Sequence, residues 1–473
     1  MKNSNIILIV LDTARAKTVW SMMDRDELPG LEKFATIGTT YRQAFTTSPW
    51  TLPSHASLFT GQRSSDHGTH AGTKRFDPSV PSLPELLSEK GYRTVGISGN
   101  SWISGEFGFD RGFDNLSMKW DYFWQGRDLS TISNTSGIER LQKILNIVFD
   151  HQAPHSIGNA LYAKILSNKY DDGAKLTTDR TIKWIRSNNE EPFFYFINYL
   201  EPHLPYKPPK EFKNNYDFEK EPEQVNQNPW EYIAGKETMT ELDFEILTQL
   251  YQAELSYLDS QIDRLYDCLN HSNLLDSTAV FIVGDHGEHI GDHELMDHQY
   301  SLHDSLLHVP LIAHYPGQNT SKENNNLVEI RDIYSTSLSL ANINIPSYDG
   351  ISDFDLLDNS SRDAVFGEYR YPQPDMNSLE QSVSDLRDNY RELDQTLRSI
   401  RTDNWKLIET EQGETLLYKS TDEFTELSSN YPEIVSKLRD EMEQEGILLN
   451  RDEKKDIEIS NKNKERLEDL GYI

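Results

Sequence analysis

The sequence has 473 residues, of which 36% are hydrophobic and 11% aromatic, so the chain can bury a sizeable core. It carries 46 basic and 77 acidic residues, which gives a formal net charge of −31 at pH 7. This excess of negative charge repels nucleic acid and anionic membranes, so neither is an expected partner. No stretch has the length of a membrane span. The single cysteine, Cys268, excludes an intramolecular disulfide and favours a reducing compartment, so we predict a cytoplasmic protein.

Short apolar runs alternate with helical patterns along much of the chain. The runs predict buried strands, and they cover residues 6–11, 93–97, 193–200, 278–283 and 309–315. Amphipathic helical spacing lies between them, and its longest stretch covers residues 241–269. Strands that are buried on both faces and alternate with such helices predict an α/β fold, with a mostly parallel sheet flanked by helices. Ligands of such sheets bind beyond the carboxyl ends of the strands.

A change in the pattern of strands and helices near residue 355 predicts two domains. Residues 1–355 form the α/β domain, and residues 356–473 form a smaller C-terminal subdomain. Strand patterns in the subdomain, such as "LRSIRTDNWKLIET" and "ETLLYKS", predict a small antiparallel sheet, and a charged terminal helix follows. Within the larger domain, residues 116–172 predict an insertion over the sheet edge, and residues 207–238 predict a long loop.

Acidic and imidazole side chains follow two of the predicted strands. Asp12 closes the first strand, and Asp285, His286 and Glu288 follow the strand at residues 278–283. Either aspartate alone is more often a helix cap. Together, carboxylates from separate strand ends predict a site for a hard cation such as Mg²⁺, Ca²⁺ or Mn²⁺.

The stretch "TTSPWTLPSHASLFTG" predicts a loop that turns into a helix at Thr51, with Pro53 in the first helical turn. Thr51 has two interpretations. It is a helix N-cap, or it is a nucleophile whose hydroxyl pKa is lowered by a nearby cation. The N-terminus of the helix would also stabilise an anionic group under attack. We predict that Thr51 fills both roles.

Several motifs, in order along almost the whole chain, resemble the sulfatase family of the alkaline-phosphatase superfamily. They are "NIILIVLDTARA", "TLPSHASLFTG", "GYRTVGISGN", "NYLEPHLPYKPP", "FIVGDHGE", "HVPLIAHYPG", "IRTDNWKLI" and "LEDLGYI". The resemblance implies an alkaline-phosphatase-like fold with a smaller C-terminal sheet, and cleavage of a sulfate or phosphate ester. It also implies one divalent cation, for which we expect Ca²⁺. Mg²⁺ and Mn²⁺ stay open, as does a second metal such as Zn²⁺.

Several functional positions of the family match individual residues of this sequence. Asp12, Asp285 and His286 match metal ligands, and Thr13 stands where most sulfatases have a second aspartate. His203 matches the histidine that contacts the substrate or the leaving group.

Other positions depart from the family. Sulfatases have cysteine or serine in place of Thr51 and convert it to formylglycine, so no formylglycine is expected here. His55 replaces the motif's arginine, Asn100 and Trp102 replace a lysine and a histidine, and a third basic position matches Gln299, or His298 in another register. The predicted catalytic residues are therefore Thr51, His203 and His55, and the predicted substrate-binding residues are Asn100, His298, Gln299 and Arg15.

The resemblance and the departures give two kinds of hypothesis. The threonine motif is similar to that of nucleotide pyrophosphatases/phosphodiesterases, and phosphoethanolamine transferases also use a threonine. The favoured hypothesis is a hydrolase or transferase of small-molecule or glycan esters of sulfate or phosphate that uses Thr51. The alternative is a degenerate family member that binds a glycan or a partner, with a purely structural metal. The oligomeric state is not predicted.

Overall fold

The computed structural model describes residues 4–120, 173–188, 192–358, 361–383, 390–451, 454, 459–460, 463–464 and 466–467. Most of the predicted insertion at residues 116–172 and the "LGYI" end of the predicted terminal helix lie outside these residues. No described helix combines the length and the apolar composition that crossing a bilayer requires.

The strands and helices are named in chain order. The strands are β1 (Asn5–Leu11), β2 (Thr39–Phe45), β3 (Arg93–Ser98), β4 (Asn115–Met118), β5 (Phe193–Tyr199), β6 (Thr278–Gly284), β7 (His289–Ile290), β8 (Met296–Asp297), β9 (His308–His314), β10 (Lys322–Asn324), β11 (Val328–Glu329), β12 (Ala364–Tyr369), β13 (Leu397–Thr402), β14 (Trp405–Thr410) and β15 (Thr415–Lys419). The helices are α1 (Ala16–Met23), α2 (Pro29–Ile37), α3 (Thr51–Thr60), α4 (Ser64–His67), α5 (Leu83–Glu89), α6 (Ala174–Ser187), α7 (Lys210–Lys213), α8 (Pro229–Ile233), α9 (Glu241–His271), α10 (Asp304–Leu307), α11 (Asp332–Leu340), α12 (Met376–Ser382) and α13 (Pro432–Gln444).

The central sheet has the strand order β10-β2-β9-β6-β1-β5-β3-β4, with β11 paired to β2. Every pairing in it is parallel except those of β9, which runs antiparallel to β2 and β6. The predicted fold, a mostly parallel sheet flanked by helices with a smaller C-terminal sheet, is therefore confirmed.

Burial on both faces explains why β1 is apolar at every position after Asn5. Leu8 and Val10 belong to the core cluster that contains Leu58 of α3, on one side of the sheet. Ile7 and Ile9 belong to the cluster on the other side, which contains much of α9. Successive side chains of a strand point to opposite faces, so a continuous apolar run supplies both cores.

The register of the central strands places their carboxyl ends together. Leu11 at the end of β1 pairs with Tyr199 of β5 on one side and with Gly284 of β6 on the other. Next to β5, Ser98 at the end of β3 pairs with Asn198. Since these strands are parallel, the residues that follow them meet at one edge of the sheet.

The C-terminal sheet is antiparallel, in the order β12-β13-β14-β15. Its strands include the two patterns from which it was predicted, and α13 packs on it through Val435, Leu438 and Met442. The division of the chain at residue 355 stays a prediction. The segment 207–238 differs from the predicted loop, because it contains α7 and α8.

Candidate active site

Asp12, Asp285 and His286 meet at the carboxyl edge of β1 and β6. The Nε2 atom of His286 lies 3.8 Å from Asp12 Oδ1 and 3.4 Å from Asp285 Oδ2. One ligand atom from each of the three residues lies within 4.8 Å of the other two, and all three side chains are fully buried. The structure thus brings these predicted metal ligands together at a spacing that suits one cation.

The polar atoms of this cluster fit a divalent cation. Within the described part of the chain, Asp12 Oδ1, Asp285 Oδ2 and the Thr13 hydroxyl are buried without a hydrogen-bond partner. Burial raises the pKa of Asp12 to about 7, although the Asn100 amide acts in the opposite direction. Burial, together with the charge of Asp12, also raises the pKa of Asp285 well above its ordinary value. Two buried carboxylates with unsatisfied oxygens are costly without a compensating positive charge.

Thr13 and His286 are held in orientations that suit ligands. Thr13 has φ 58°, an unfavourable conformation for a β-branched residue, and its N–H donates to Asp285 Oδ1 at 3.2 Å. The Nδ1 atom of His286 donates to the Gly287 carbonyl at 2.9 Å, so Nε2 carries the lone pair. Burial lowers the pKa of His286 well below its ordinary value, which keeps the ring neutral.

Thr51 contributes its hydroxyl to the same cluster. The Thr51 Oγ1 atom lies 3.2 Å from His286 Nε2 and 3.4 Å from the Asn100 Nδ2 atom, and the residue is fully buried. The prediction that Thr51 caps α3 is wrong, because Trp50 occupies the N-cap position and Thr51 is the first helical residue. Its side chain therefore turns to the strand ends rather than to the backbone of its own helix.

His55, one helical turn after Thr51, contacts Asp285, a predicted metal ligand. Its Nδ1 atom donates to the Thr51 carbonyl at 2.9 Å and lies 3.5 Å from Asp285 Oδ2. Burial lowers the pKa of His55 to about 4, so the ring is neutral near pH 7. These contacts position α3 against Asp285, and a catalytic role for His55 stays a prediction.

Two further histidines lie beside the cluster and differ in charge. The ring centroid of His298 lies 4.6 Å from that of His286 and 5.1 Å from that of His203. Burial lowers the pKa of His203 to about 4, and its Nδ1 atom donates to the Leu204 carbonyl. Burial also opposes charge on His298, but Asp297 and Glu288 outweigh it and raise the pKa of His298 to about 10.

Glu288, Asp297 and His298 form a second buried group whose ligand atoms lie within 4.8 Å of one another. The Nδ1 atom of His298 lies 3.2 Å from Glu288 Oε1 and also contacts Asp297, and the Tyr206 hydroxyl donates to Glu288 Oε2 at 3.3 Å. No sequence pattern predicts Asp297 as part of the site, because its position depends on the pairing of β7 with β8. His298 adjoins the cluster, because its ring centroid lies 4.6 Å from that of His286, whereas the Gln299 amide is buried without a hydrogen-bond partner among the described residues.

The remaining predicted substrate-binding residues differ in their surroundings. Asn100 joins the cluster, because its Nδ2 atom donates to Asp12 Oδ2 at 2.7 Å. Arg15 is engaged elsewhere, since its Nη2 atom donates to Asp292 Oδ1 at 2.9 Å. Trp102 packs edge-on against Trp50, with ring centroids 5.7 Å apart. Substrate contact by Asn100 or Arg15 stays a prediction, and none is predicted for Trp102.

Comparison with known proteins gives the family. The family model described as Sulfatase matches residues 4–343. The chain belongs to the sulfatase family. Arylsulfatase K of Canis lupus familiaris is 23% identical over 470 residues, which cover 92% of this chain and 81% of that protein.

Solved structures share the sulfatase-family fold at low sequence identity. The phosphonate monoester hydrolase of Agrobacterium radiobacter has a TM-score of 0.69 and 17% identity, with 94% of this chain and 95% of that chain covered. BT4656 in complex with its substrate D-glucosamine-2-N,6-O-disulfate has a TM-score of 0.65 and 18% identity, with 94% and 97% covered. These likenesses concern the fold.

This sulfatase-family chain brings a hydroxyl rather than a thiol to the candidate site. Position 51 is threonine, and the single cysteine, Cys268, is buried in α9. A catalytic role for Thr51 stays a prediction.

Proposed function

We propose that the protein is a metal-dependent hydrolase of small-molecule or glycan esters of sulfate or phosphate, with Thr51 as the nucleophile. The observation that carries this proposal is the burial of the Thr51 hydroxyl 3.2 Å from His286 Nε2, within the Asp12–Asp285–His286 cluster. The names of the relatives, an arylsulfatase and a phosphonate monoester hydrolase, support ester hydrolysis.

Asp12, Asp285 and His286 would hold the cation, with the Thr13 hydroxyl as a fourth donor. Three of these four residues offer oxygen, which favours Ca²⁺ and also permits Mg²⁺ or Mn²⁺. The bound cation would lower the pKa of the Thr51 hydroxyl and attract the anionic ester. The second buried group, which contains Glu288, leaves room in the proposal for another metal such as Zn²⁺.

Asn100 and the N-terminus of α3 both act on the Thr51 oxygen. The Asn100 amide lies 3.4 Å from Thr51 Oγ1, where it can donate to an alkoxide as charge develops on that oxygen. Thr51 is the first residue of α3, so the positive end of the helix dipole lies at the same place. Both effects stabilise negative charge at the reacting oxygen.

His203 and His298 have the protonation states that an acid–base pair requires. His298 is held as an imidazolium by its two carboxylate neighbours, so it can bind the anion and give a proton to the departing alcohol oxygen. His203 is neutral, and its Nδ1–H is directed to the Leu204 carbonyl, so it can accept a proton from water. Their rings are 5.1 Å apart, within reach of one small substrate group.

The reaction then has two displacements. Thr51 Oγ1, after its proton has passed to solvent, forms a bond to the phosphorus or sulfur atom while the bond to the alcohol oxygen breaks, and His298 gives that oxygen a proton. Water next attacks the ester on Thr51 and gives a proton to His203, which releases the inorganic anion and the Thr51 alkoxide. The proton on His203 then passes to His298, which restores both histidines. Metal-assisted phosphoryl transfer permits this second displacement readily. The cytoplasm is the proposed location, which the single buried cysteine supports.

The Thr51 hydroxyl is tested by Thr51→Ala and Thr51→Ser. We expect Thr51→Ala to lose at least about 1,000-fold in kcat, because the first displacement has no nucleophile, and Thr51→Ser to keep measurable turnover. The assays are release of 4-nitrophenol from aryl phosphate monoesters, aryl phosphate diesters and aryl sulfate, each with added Ca²⁺ or Mn²⁺. Equal rates for wild type and Thr51→Ala would refute the proposal and favour a protein that only binds a glycan or partner.

A further inference from the structure

A cavity of about 740 Å³ lies between the segment 205–227 and helix α9. This volume is within the range of small-molecule binding sites, which is about 300–1,000 Å³. Neither Asp12 nor Thr51 lines the cavity. Tyr206 connects the cavity to the candidate active site, because it lines the cavity and its hydroxyl donates to Glu288 Oε2 at 3.3 Å. The cavity is therefore a separate site beside the candidate active site.

One wall of the cavity is apolar and is held in place by core packing. Leu250 of α9, Val225 and Tyr206 are buried and belong to the core cluster on the α9 side of the sheet. Three prolines extend this wall, and they are Pro205, Pro208 and Pro222. Apolar ligand surface that is buried against such a wall contributes about 25 cal/mol per Å² to binding. The wall therefore favours a ligand with an apolar body.

Hydrogen bonds fix the backbone around the cavity. The Gln227 side chain accepts the Tyr206 N–H at 2.7 Å and donates to the Tyr206 carbonyl at 3.2 Å, so the two ends of the segment are joined. The Lys207 N–H donates to Glu254 Oε1 of α9 at 2.7 Å, and this carboxylate is buried beneath the segment. The segment is thus attached at both ends and to α9. Binding of a ligand then requires little ordering of the loop.

Two lysines give the mouth of the cavity a positive charge. Lys207 and Lys210 line the cavity, both are exposed, and neither ammonium has an ion-pair partner in the described part of the chain. Lys213 also lines the cavity, but it pairs with Glu223. The whole chain has a net charge of −31, so two uncompensated lysines beside an apolar wall are a local exception. Charge complementarity therefore favours an anionic group on the ligand.

We propose that this cavity binds an apolar small molecule that carries an anionic group, such as a carboxylate or a sulfonate. The apolar body would lie against Val225 and Leu250, and the anionic group would pair with Lys207 and Lys210 at the mouth. This inference goes beyond the proposed function, because binding at this place requires neither the Thr51 hydroxyl nor a bound cation.

The inference is tested by ligand binding to the full chain at constant ionic strength. The probe is 8-anilinonaphthalene-1-sulfonate, an aromatic anion whose fluorescence rises in apolar surroundings, and N-phenyl-1-naphthylamine is its uncharged counterpart. The cavity variant combines Lys207→Met with Lys210→Met, which removes both charges and keeps apolar stems. The matched control combines Lys183→Met with Lys322→Met, because these are exposed lysines of α6 and β10. Fluorescence titration gives Kd, and calorimetry gives the number of probe molecules bound per chain.

We expect wild type to bind one molecule of the sulfonate per chain, and more tightly than the uncharged counterpart. The cavity variant should bind the sulfonate about 10-fold more weakly, with about 3-fold from each lysine, because partly exposed ion pairs are modest in strength. The control variant should match wild type, and the uncharged counterpart should bind every variant equally. Unchanged sulfonate binding in the cavity variant would overturn the inference. An equal loss in the control variant, equal affinity of wild type for the two probes, or no saturable binding by wild type would also overturn it.

Discussion

At the scale of single residues, the Thr51 hydroxyl has two buried neighbours that act on it differently. His286 Nε2 lies 3.2 Å from Oγ1, and its lone pair suits it to hold a cation or to accept a proton. Asn100 lies 3.4 Å away and can only donate through its Nδ2 atom. The same amide donates to Asp12 at 2.7 Å, so Asn100 links the proposed nucleophile to a proposed metal ligand.

Replacing Asn100 tests this link. Asn100→Leu removes both donated hydrogen bonds at similar volume, and we expect kcat to fall by about 100-fold because the developing alkoxide loses a donor. Asn198→Leu is the control, since Asn198 is a buried asparagine of the adjoining strand whose amide donates to Ser98 Oγ at 3.4 Å. A kcat loss of the same size in both variants, measured with an aryl phosphate, would show that packing rather than the donated bond is responsible.

The site residues that could be predicted from the sequence are those that directly follow a strand with a continuous apolar run. Asp12, Asp285 and His286 come directly after the apolar runs of β1 and β6, so their convergence follows from parallel pairing. Asp297 could not be predicted in this way, because its position depends on the hairpin of β7 and β8.

At the scale of secondary-structure elements, α2 is capped from another helix. Asp259 of α9 accepts the N–H groups of Gly30 and Leu31 at 2.8 and 2.7 Å. The helices are so close that a Cβ atom at Gly30 would lie 2.4 Å from the Asp259 carbonyl oxygen, which explains the glycine. Burial raises the pKa of Asp259 to about 7, and the two N–H bonds act in the opposite direction.

This pKa predicts how stability changes with pH. The pKa of Asp259 is higher in the folded protein than its ordinary value of about 4. The stabilisation that Asp259 contributes to the folded state is therefore complete below about pH 4 and is lost as the pH rises through about 7. Asp259→Asn cannot titrate. We expect the free energy of unfolding of wild type, relative to Asp259→Asn, to fall by about 1–4 kcal/mol from about pH 4 to pH 8. Urea denaturation across this range measures it, and a pH-independent difference would contradict the expectation.

The elements that could be predicted are those with one clear hydrophobic period. Strands β1, β5 and β6 are continuous apolar runs, and α9 has long helical spacing. Strand β2 could not be predicted from the sequence, because a bulge between Tyr41 and Ala44 interrupts the regular alternation of its side chains. Helix α8 was missed within a polar segment, although Asn228 before Pro229 is an N-cap signal, and the Asn228 side chain accepts from the N–H of Trp230 at 3.0 Å.

At the scale of the whole molecule, an ion-pair group joins the two sheets. Asp304, in the helix before β9, accepts hydrogen bonds from Arg401 Nε of β13 at 2.7 Å and from Lys406 Nζ of β14 at 2.6 Å. Burial opposes the charge on Asp304, but Lys406 and Arg401 hold its pKa well below the ordinary value. The C-terminal sheet is thus attached to the central sheet by a buried charge cluster.

Removing the shared carboxylate should weaken the attachment. Asp304→Asn leaves Arg401 and Lys406 buried beside a neutral amide, and we expect a loss of about 3–5 kcal/mol in the free energy of unfolding. Asp276→Asn, at an exposed aspartate, is the control. Urea denaturation and limited proteolysis of the C-terminal sheet are the measurements, and equal stability of the two variants would show that the cluster does not join the sheets.

The proposed mechanism requires the Thr51 oxygen to become covalently bound to the transferred group. The most direct measurement is peptide mapping by mass spectrometry after rapid acid quench of the metal-loaded protein with an aryl phosphate or an aryl sulfate. We expect the peptide containing Thr51 to gain the mass of the transferred group in wild type and not in Thr51→Ala. Substrate turnover with the added mass on another residue, or turnover that persists in Thr51→Ala, would contradict it.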